Sequence, residues 1–191
     1  MAKKGIEYTV FGILQEDGSY KDGKYLSPVA NFNGTPNKSN VVDYGDDRAL
    51  ETDNSVTGGT LSIEMNNDDE ETYTFLLGHK KDEETGEIIY DVNDIPPYVG
   101  CGAIGTSGKK KVVKFYTKVQ FGEPNDENTT RQESTTFNHS TLEGTILIPE
   151  DGVWKIRKEF DTLKEAKAWL NEKVGITGAG GAGTLDEEKG A

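Results

Sequence analysis

At 191 residues with a formal net charge of -13, the chain has the size of one domain, and its acidity disfavours nucleic-acid binding, which rests on clustered cations that neutralise phosphates. No run approaches the roughly 20 apolar residues of a membrane helix, and the first five residues lack the apolar stretch of a signal peptide, so a cytoplasmic protein with no membrane partner is expected. A single cysteine, Cys101, excludes an internal disulfide and a cysteine-based zinc site.

The charge is unevenly placed. Residues 68–94 hold ten acids against Lys80 and Lys81, whereas Lys109, Lys110, Lys111, Lys114 and Lys118 form a basic island with no acid between them. A solvated, self-repelling surface is the plain reading of such segregation.

In chain order, Tyr8, Val10 and Gly12 alternate with Thr9, Phe11 and Ile13 as a strand, and Asp17-Gly18 and Asp22-Gly23 supply turns. An extended segment follows over 25–32, with Pro28 limiting its inner pairing. Residues 33–59 are rich in Asn, Asp, Gly, Thr and Ser around a thin apolar thread of Val41, Val42, Tyr44 and Leu50, and are expected to be a long functional or disordered connection. Leu61, Ile63 and Met65 share one face of a strand opposite Thr60, Ser62 and Glu64. A short helix comes next, with Asn67 as N-cap, acids at 68–71 in its first turn, Phe75, Leu76 and Leu77 as its apolar part and Gly78 as its stop. Residues 80–86 read as a charged loop and 88–90 as extended chain.

Residues 97–105 and 110–121 form the arms of a hairpin joined by 106–108. In its second arm Val113, Phe115, Thr117, Val119 and Phe121 are expected in the core, with Lys114, Tyr116, Lys118 and Gln120 facing solvent or a neighbouring subunit. After an acidic loop over 123–133, Thr135, Phe137 and His139 alternate, and Leu142, Gly144, Ile146 and Ile148 continue a strand. Glu150-Asp151-Gly152 is read as the turn of a further hairpin into 153–157. Thr162-Leu-Lys-Glu165 is a capping box opening a helix whose Leu163, Ala166, Trp169 and Leu170 share a sheet-facing side, and Gly175 ends it. The division expected is a domain over 1–175 and a flexible Gly-rich tail over 176–191.

Motifs that suggest chemistry fail on context. Gly100-Cys-Gly-Ala-Ile-Gly105 has the letters of a dinucleotide fingerprint, but a strand follows where the fingerprint needs a helix N-terminus, so small residues in a tightly packed strand are the better explanation. His79 and His139 stand near no nucleophile motif, which favours a surface or interface role, and Asn67-Asp-Asp-Glu-Glu71 lacks EF-hand spacing. No enzymatic activity, metal or cofactor is expected.

The order of elements over 118–173, together with Asp17-Gly-Ser-Tyr-Lys-Asp-Gly-Lys-Tyr-Leu26, Asp46-Asp47 through Glu51-Thr-Asp53, Gly59-Thr-Leu-Ser-Ile63, Leu76-Leu-Gly-His79, Thr85-Gly-Glu87 and Pro97-Tyr-Val-Gly100, resembles the major tail tube proteins of long-tailed bacteriophages of Gram-positive hosts. The resemblance spans roughly residues 5–173 and leaves out the tail. It implies a mainly β, antiparallel β-sandwich with one flanking C-terminal helix, a short second helix and long assembly loops. It also implies a virion subunit, made in the host cytoplasm, that stacks as six-membered rings into a tube through which double-stranded DNA passes without specific binding. Its partners would be further copies of itself and the tape measure, tail terminator and distal tail proteins.

On that reading Asn40, Asp43, Asp46, Asp47, Glu51 and Asp53, with Asp126, Glu127 and Arg131, are candidate contacts between subunits or rings. Asp68, Asp69, Glu70 and Glu71 are candidate lumen acids, and Lys110, Lys114 and Lys118 candidate subunit contacts. The alternatives are a monomeric carbohydrate- or surface-binding β-sandwich, for which Trp154 and Trp169 would have to be exposed, and the tube protein of a contractile or secretion-type injection machine.

Overall fold

A computed structural model describes residues 3–26, 28–45, 48–66, 70–124 and 140–176. The fold is mainly β. One antiparallel sheet runs in the order β2 (Tyr20–Lys24), β1 (Lys3–Leu14), β9 (Val99–Ser107), β10 (Lys110–Phe121), β11 (Ser140–Ile146), β6 (Val56–Met65) and β3 (Val29–Lys38), with β12 (Lys155–Phe160) paired to β10. Two small hairpins stand outside it, β4 (Val41–Gly45) with β5 (Arg48–Asp53) and β7 (Lys80–Lys81) with β8 (Ile88–Ile89).

Strand β10 organises the sheet. Its Lys111–Tyr116 half pairs with β12, while Val119, Gln120 and Phe121 pair with β11 along the same edge. A bulge between Tyr116 and Val119 separates the halves and reverses which side chains face which layer. Before it, Val113 and Phe115 face the C-terminal helix; after it, Val119 and Phe121 join Tyr116 in the other core. The expectation of a single apolar face with Tyr116 turned outward is therefore corrected: Tyr116 is buried because the face opposite Phe115 is covered by the larger core, and the shift at the bulge brings Val119 and Phe121 onto that same face. Polar groups released by the bulge find partners. The Thr117 N–H donates to the Trp154 carbonyl at 3.2 Å, the Tyr20 hydroxyl donates to the Thr117 carbonyl at 2.8 Å, and the Leu147 N–H donates to the Lys118 carbonyl at 2.9 Å.

Two apolar clusters result. The larger lies between the β1-β9-β10 and β11-β6-β3 parts of the sheet and holds Phe11, Phe32, Leu61, Ile63, Met65, Cys101, Tyr116 and Phe121. Phe75, Leu76 and Leu77 also pack into it from a short helix, α1 (Glu70–Thr72), which continues as a wider helical turn over Tyr73–Leu77. The smaller lies between the outer face of β1, β9 and β10 and α2 (Leu163–Val174), whose Ala166, Leu170 and Val174 are fully buried. This is the sandwich-like arrangement with a flanking helix.

The glycines of 100–105 have a packing reason. A Cβ on Gly102 would lie 2.5 Å from a Leu170 methyl, and one on Gly100 would lie 2.3 Å from the Tyr20 ring. Helix α2 and Tyr20 sit directly on that backbone, so the stretch is a packed strand as its context indicated. Helix α2 opens with the expected capping box: Thr162 Oγ1 accepts from the Glu165 N–H and Glu165 Oε2 accepts from the Thr162 N–H, each at 3.3 Å. Gly78 and Gly175 adopt the left-handed conformation as helix stops, with φ of 78° and 76°. Replacing Thr162 by Ala is expected to lower stability by about 1 kcal/mol in denaturant titrations, since the Glu165 N–H loses its side-chain acceptor.

Three further expectations need correction. Residues 33–59 are β structure: β3 runs to Lys38, β4 and β5 form a hairpin, and β6 begins at Val56. Their polar composition misled because β3 is the sheet's last strand, paired only with β6, so Pro36 and exposed Asn side chains cost it little. The chain after Glu150-Asp151-Gly152 pairs with β10 rather than folding back on β11. Lys80–Lys81 is a strand paired with Ile88–Ile89, not loop. The Asn67 cap, the 135–139 alternation and the 177–191 tail lie outside the described residues.

Candidate interaction surfaces

The structure distributes the candidate contact residues unevenly. Asn40 lies in the connection from β3 to β4, Asp43 in β4, and Glu51 and Asp53 in β5, so three of them belong to one hairpin arm that is not paired into the main sheet, and Asn40 leads into it. Asp53 accepts the Ser55 N–H at 2.8 Å, which holds its carboxyl below the usual range and serves the turn into β6. Asp46, Asp47, Asp126, Glu127 and Arg131 lie outside the described residues.

Of the candidate lumen acids, Asp68 and Asp69 lie outside the described residues, while Glu70 and Glu71 are exposed at the start of α1. Glu71 accepts from Lys24 at 2.6 Å and Glu70 pairs with Lys81. Both acids therefore bridge α1 to neighbouring strands, which leaves less free negative charge there than the sequence suggests.

The basic island also divides. Lys110 pairs with Asp161, and this contact raises its pKa. Lys111 donates to Glu7 at 2.6 Å; burial alone would raise the Glu7 pKa, but bonds from Lys111 and Thr106 bring it below its ordinary value. The Lys118 ammonium lies 4.4 Å from the Tyr98 ring centre. Lys114 lies elsewhere, on the rim of an open groove of about 570 Å³ formed by β1, β3, β9, β10 and β12. Lys155 and Arg157 join it there, and among the described residues none that lines the groove is acidic. The three candidate lysines thus do not form one surface.

Sequence reasoning missed two features. His79 is buried, not on the surface: its Nδ1 lies 2.8 Å from Asp94 Oδ2, and its Nε2 lies 2.6 Å from Glu123 Oε1 but off the line of a well-formed hydrogen bond. The Tyr90 ring covers the imidazole with 4.2 Å between ring centres. Asp94 also accepts the Asp91 N–H at 3.1 Å, and the His79 bond, with this one, holds the Asp94 carboxyl below its ordinary range. These contacts pin residues 90–94 against the end of β10.

A carboxyl with a depressed folded pKa stabilises the fold above its unfolded pKa, about 3.9, and loses that contribution as pH falls through the folded value. The melting-temperature gap between wild type and Asp94→Asn is accordingly expected above about pH 4 and should close under stronger acid. A gap that widens with acid would contradict the clamp.

The second missed feature is an exposed apolar run. Ile89, Tyr90, Val92, Ile95 and Tyr98 stand in solvent, Val92 to 99% and Ile95 to 81%. The contact between His79 and Asp94 holds this run in place, as does the Gln120 side chain, which donates to the Pro96 carbonyl at 2.8 Å.

Cys101 is fully buried and burial pushes its thiol pKa up, which suits packing rather than reactivity. Trp154 packs on the larger cluster and Trp169 on the smaller. Among the described residues no group of three His, Cys, Asp or Glu side chains is placed to hold a metal ion, and no helix is long and apolar enough to cross a membrane. No protein-family model matches the chain, and a search of curated proteins finds no match.

Proposed function

We propose that the chain is a structural virion protein whose copies assemble into stacked, six-membered rings, forming the tail tube through which phage DNA leaves. The observation that carries the reading is the run Ile89, Tyr90, Val92, Ile95 and Tyr98, exposed to solvent and outside both apolar clusters of the core. Exposed apolar patches on folded chains mark surfaces that a partner covers. The detached β4–β5 arm gives a second element able to reach a neighbour. Trp154 and Trp169 are half-buried against the two clusters rather than exposed together, which weighs against the monomeric sugar-binding alternative.

On this reading the subunit needs no catalytic residue, and its acidity keeps DNA from adhering to the tube wall. Negative-stain microscopy of the concentrated protein tests it: hollow rings or tubes are expected, and a field of isolated particles the size of one chain would overturn it.

A further inference from the structure

We infer that His79 is a pH-sensitive latch: with both ring nitrogens protonated it clamps the 90–94 turn to the end of β10, and loss of one proton loosens that turn and the apolar run it carries. The consequence for assembly rests on the reading above, whereas the latch itself does not.

Local structure places the ring between two acids. Gly78 turns the chain in the left-handed conformation, and a Cβ there would stand 2.9 Å from the Ile95 carbonyl oxygen, so His79 starts out against the segment it holds. In the β7–β8 pairing Lys80 stands opposite Ile89, which brings Tyr90 opposite His79 and its ring onto the imidazole. Asp91 and Asp94 close the turn that follows: the Asp94 N–H donates to the Asp91 carbonyl at 2.9 Å, and Asp91 Oδ1 accepts the Asn93 N–H at 2.8 Å. On the opposite side of the ring, Glu123 follows the last residue of β10 and brings its carboxyl to Nε2.

The proton count follows from these partners. Asp94 Oδ2 takes the Asp91 N–H as well as the His79 contact, and the two bonds hold the carboxyl below its ordinary range, so Asp94 is an acceptor and Nδ1 the donor. The His79 side chain is only 3% exposed, and its Nε2 lies 2.6 Å from Glu123 Oε1 without a well-formed bond. A neutral ring with its proton on Nδ1 turns a lone pair toward that carboxylate, whereas an imidazolium presents a second N–H. In the first case a buried nitrogen is left unpaired at a desolvation cost; in the second a charge-assisted bond forms. Glu123 is the jaw free to move, since its side chain is 54% exposed and an open space of about 340 Å³ adjoins the pair.

The titratable groups around the ring are Tyr90, Asp91 and Asp94 from the turn, Tyr73 from the helical turn, Glu123 from the end of β10 and Lys80 beside His79 itself. A ring proton thus adds positive charge among three carboxylates and one ammonium. The Glu123 contact is present while the ring carries both protons and is lost as pH rises, a change that histidine makes between about pH 5 and 8. Val92 and Ile95 ride on this turn or directly after it. A clamped segment meets a neighbour with little ordering cost, and a loosened one must be ordered first, so assembly weakens when the latch opens.

The test compares the full-length chain at about pH 5.5 and about pH 8.5, on either side of the histidine range. Imidazole 15N spectra should show His79 protonated on both nitrogens at the lower pH and on Nδ1 alone at the higher. After correction for the intrinsic pH dependence of hydrogen exchange, protection of the Asp91 and Asp94 amides should fall about fivefold across that range in wild type. It should hardly change in Glu123→Gln, whose amide can accept from a protonated Nε2 or donate to a bare one. Sedimentation of concentrated protein should show assembly weakening with pH more in wild type than in this variant, which subtracts the general easing of charge repulsion by acid. Equal protection at both pH values in wild type, or the same fall in Glu123→Gln, would overturn the latch. A wild type that stays monomeric at both would overturn the assembly reading instead, and hydrogen exchange would still decide the latch.

Discussion

Leu170→Ala is expected to lower the unfolding free energy by about 3 kcal/mol, because the side chain is fully buried at the centre of the helix-sheet contact and its loss leaves a cavity. Gly102→Ala at the facing strand position should cost about 2 kcal/mol for the opposite reason, since the new Cβ would stand 2.5 Å from the Leu170 Cδ1 and 3.0 Å from the Phe115 ring. The double variant is the sharper test. Its added methyl group enters space that Leu170 vacates, so its loss should fall short of the sum by about 1 kcal/mol. Strict additivity in denaturant midpoints at constant slope would mean that α2 does not rest on Gly102.

The second large effect is expected where β3 crosses the larger core. A Cβ on Gly34 would stand 2.0 Å from the Tyr116 hydroxyl oxygen and 2.5 Å from its ring carbon. Tyr116 is only 1% exposed, and burial, with a smaller contribution from Cys101, pushes its phenol pKa up to about 12, so the ring cannot simply swing into water. Gly34→Ala must therefore displace the edge strand or the ring, at a cost of about 3 kcal/mol. Gly5→Ala is the control: nothing lies within 4 Å of its Cβ position, and it should change the melting temperature little. Equal effects from the two substitutions would refute the close crossing of β3 over β10.

Local rules were readable wherever one residue type must meet one geometry. The alternation of Leu61, Ile63 and Met65 marked β6 because one face of that strand is buried, and Thr162 with Glu165 marked the start of α2 because a helix end needs donors satisfied. What escaped were features set by distant parts of the chain. The bulge after Tyr116 is stabilised by Tyr20 and Trp154, residues far away in sequence, so period-2 reasoning carried straight through it. Strand β3 showed no apolar period because its inward positions after Phe32 are Gly34, where the Tyr116 ring leaves no room for a side chain, and Pro36.

The surfaces were the least legible part. His79, Asp94 and Glu123 meet only after β7 and β8 turn back toward the end of β10. The groove draws its rim from β10 and β12 and its floor from β1, β3 and β10. Counting lysines along 109–118 found Lys114 but grouped it with Lys110 and Lys118, whose contacts are with Asp161 and Tyr98. Alternation on a strand says which residues share a face, but not which of them a neighbouring strand already engages.

Sedimentation velocity on the full-length chain over a wide concentration range tests the central claim most directly. Self-assembly predicts that the species of 20.9 kDa gives way, as concentration rises, to a discrete multiple consistent with closed rings and then to larger stacks. A single 20.9 kDa species at every concentration would contradict it.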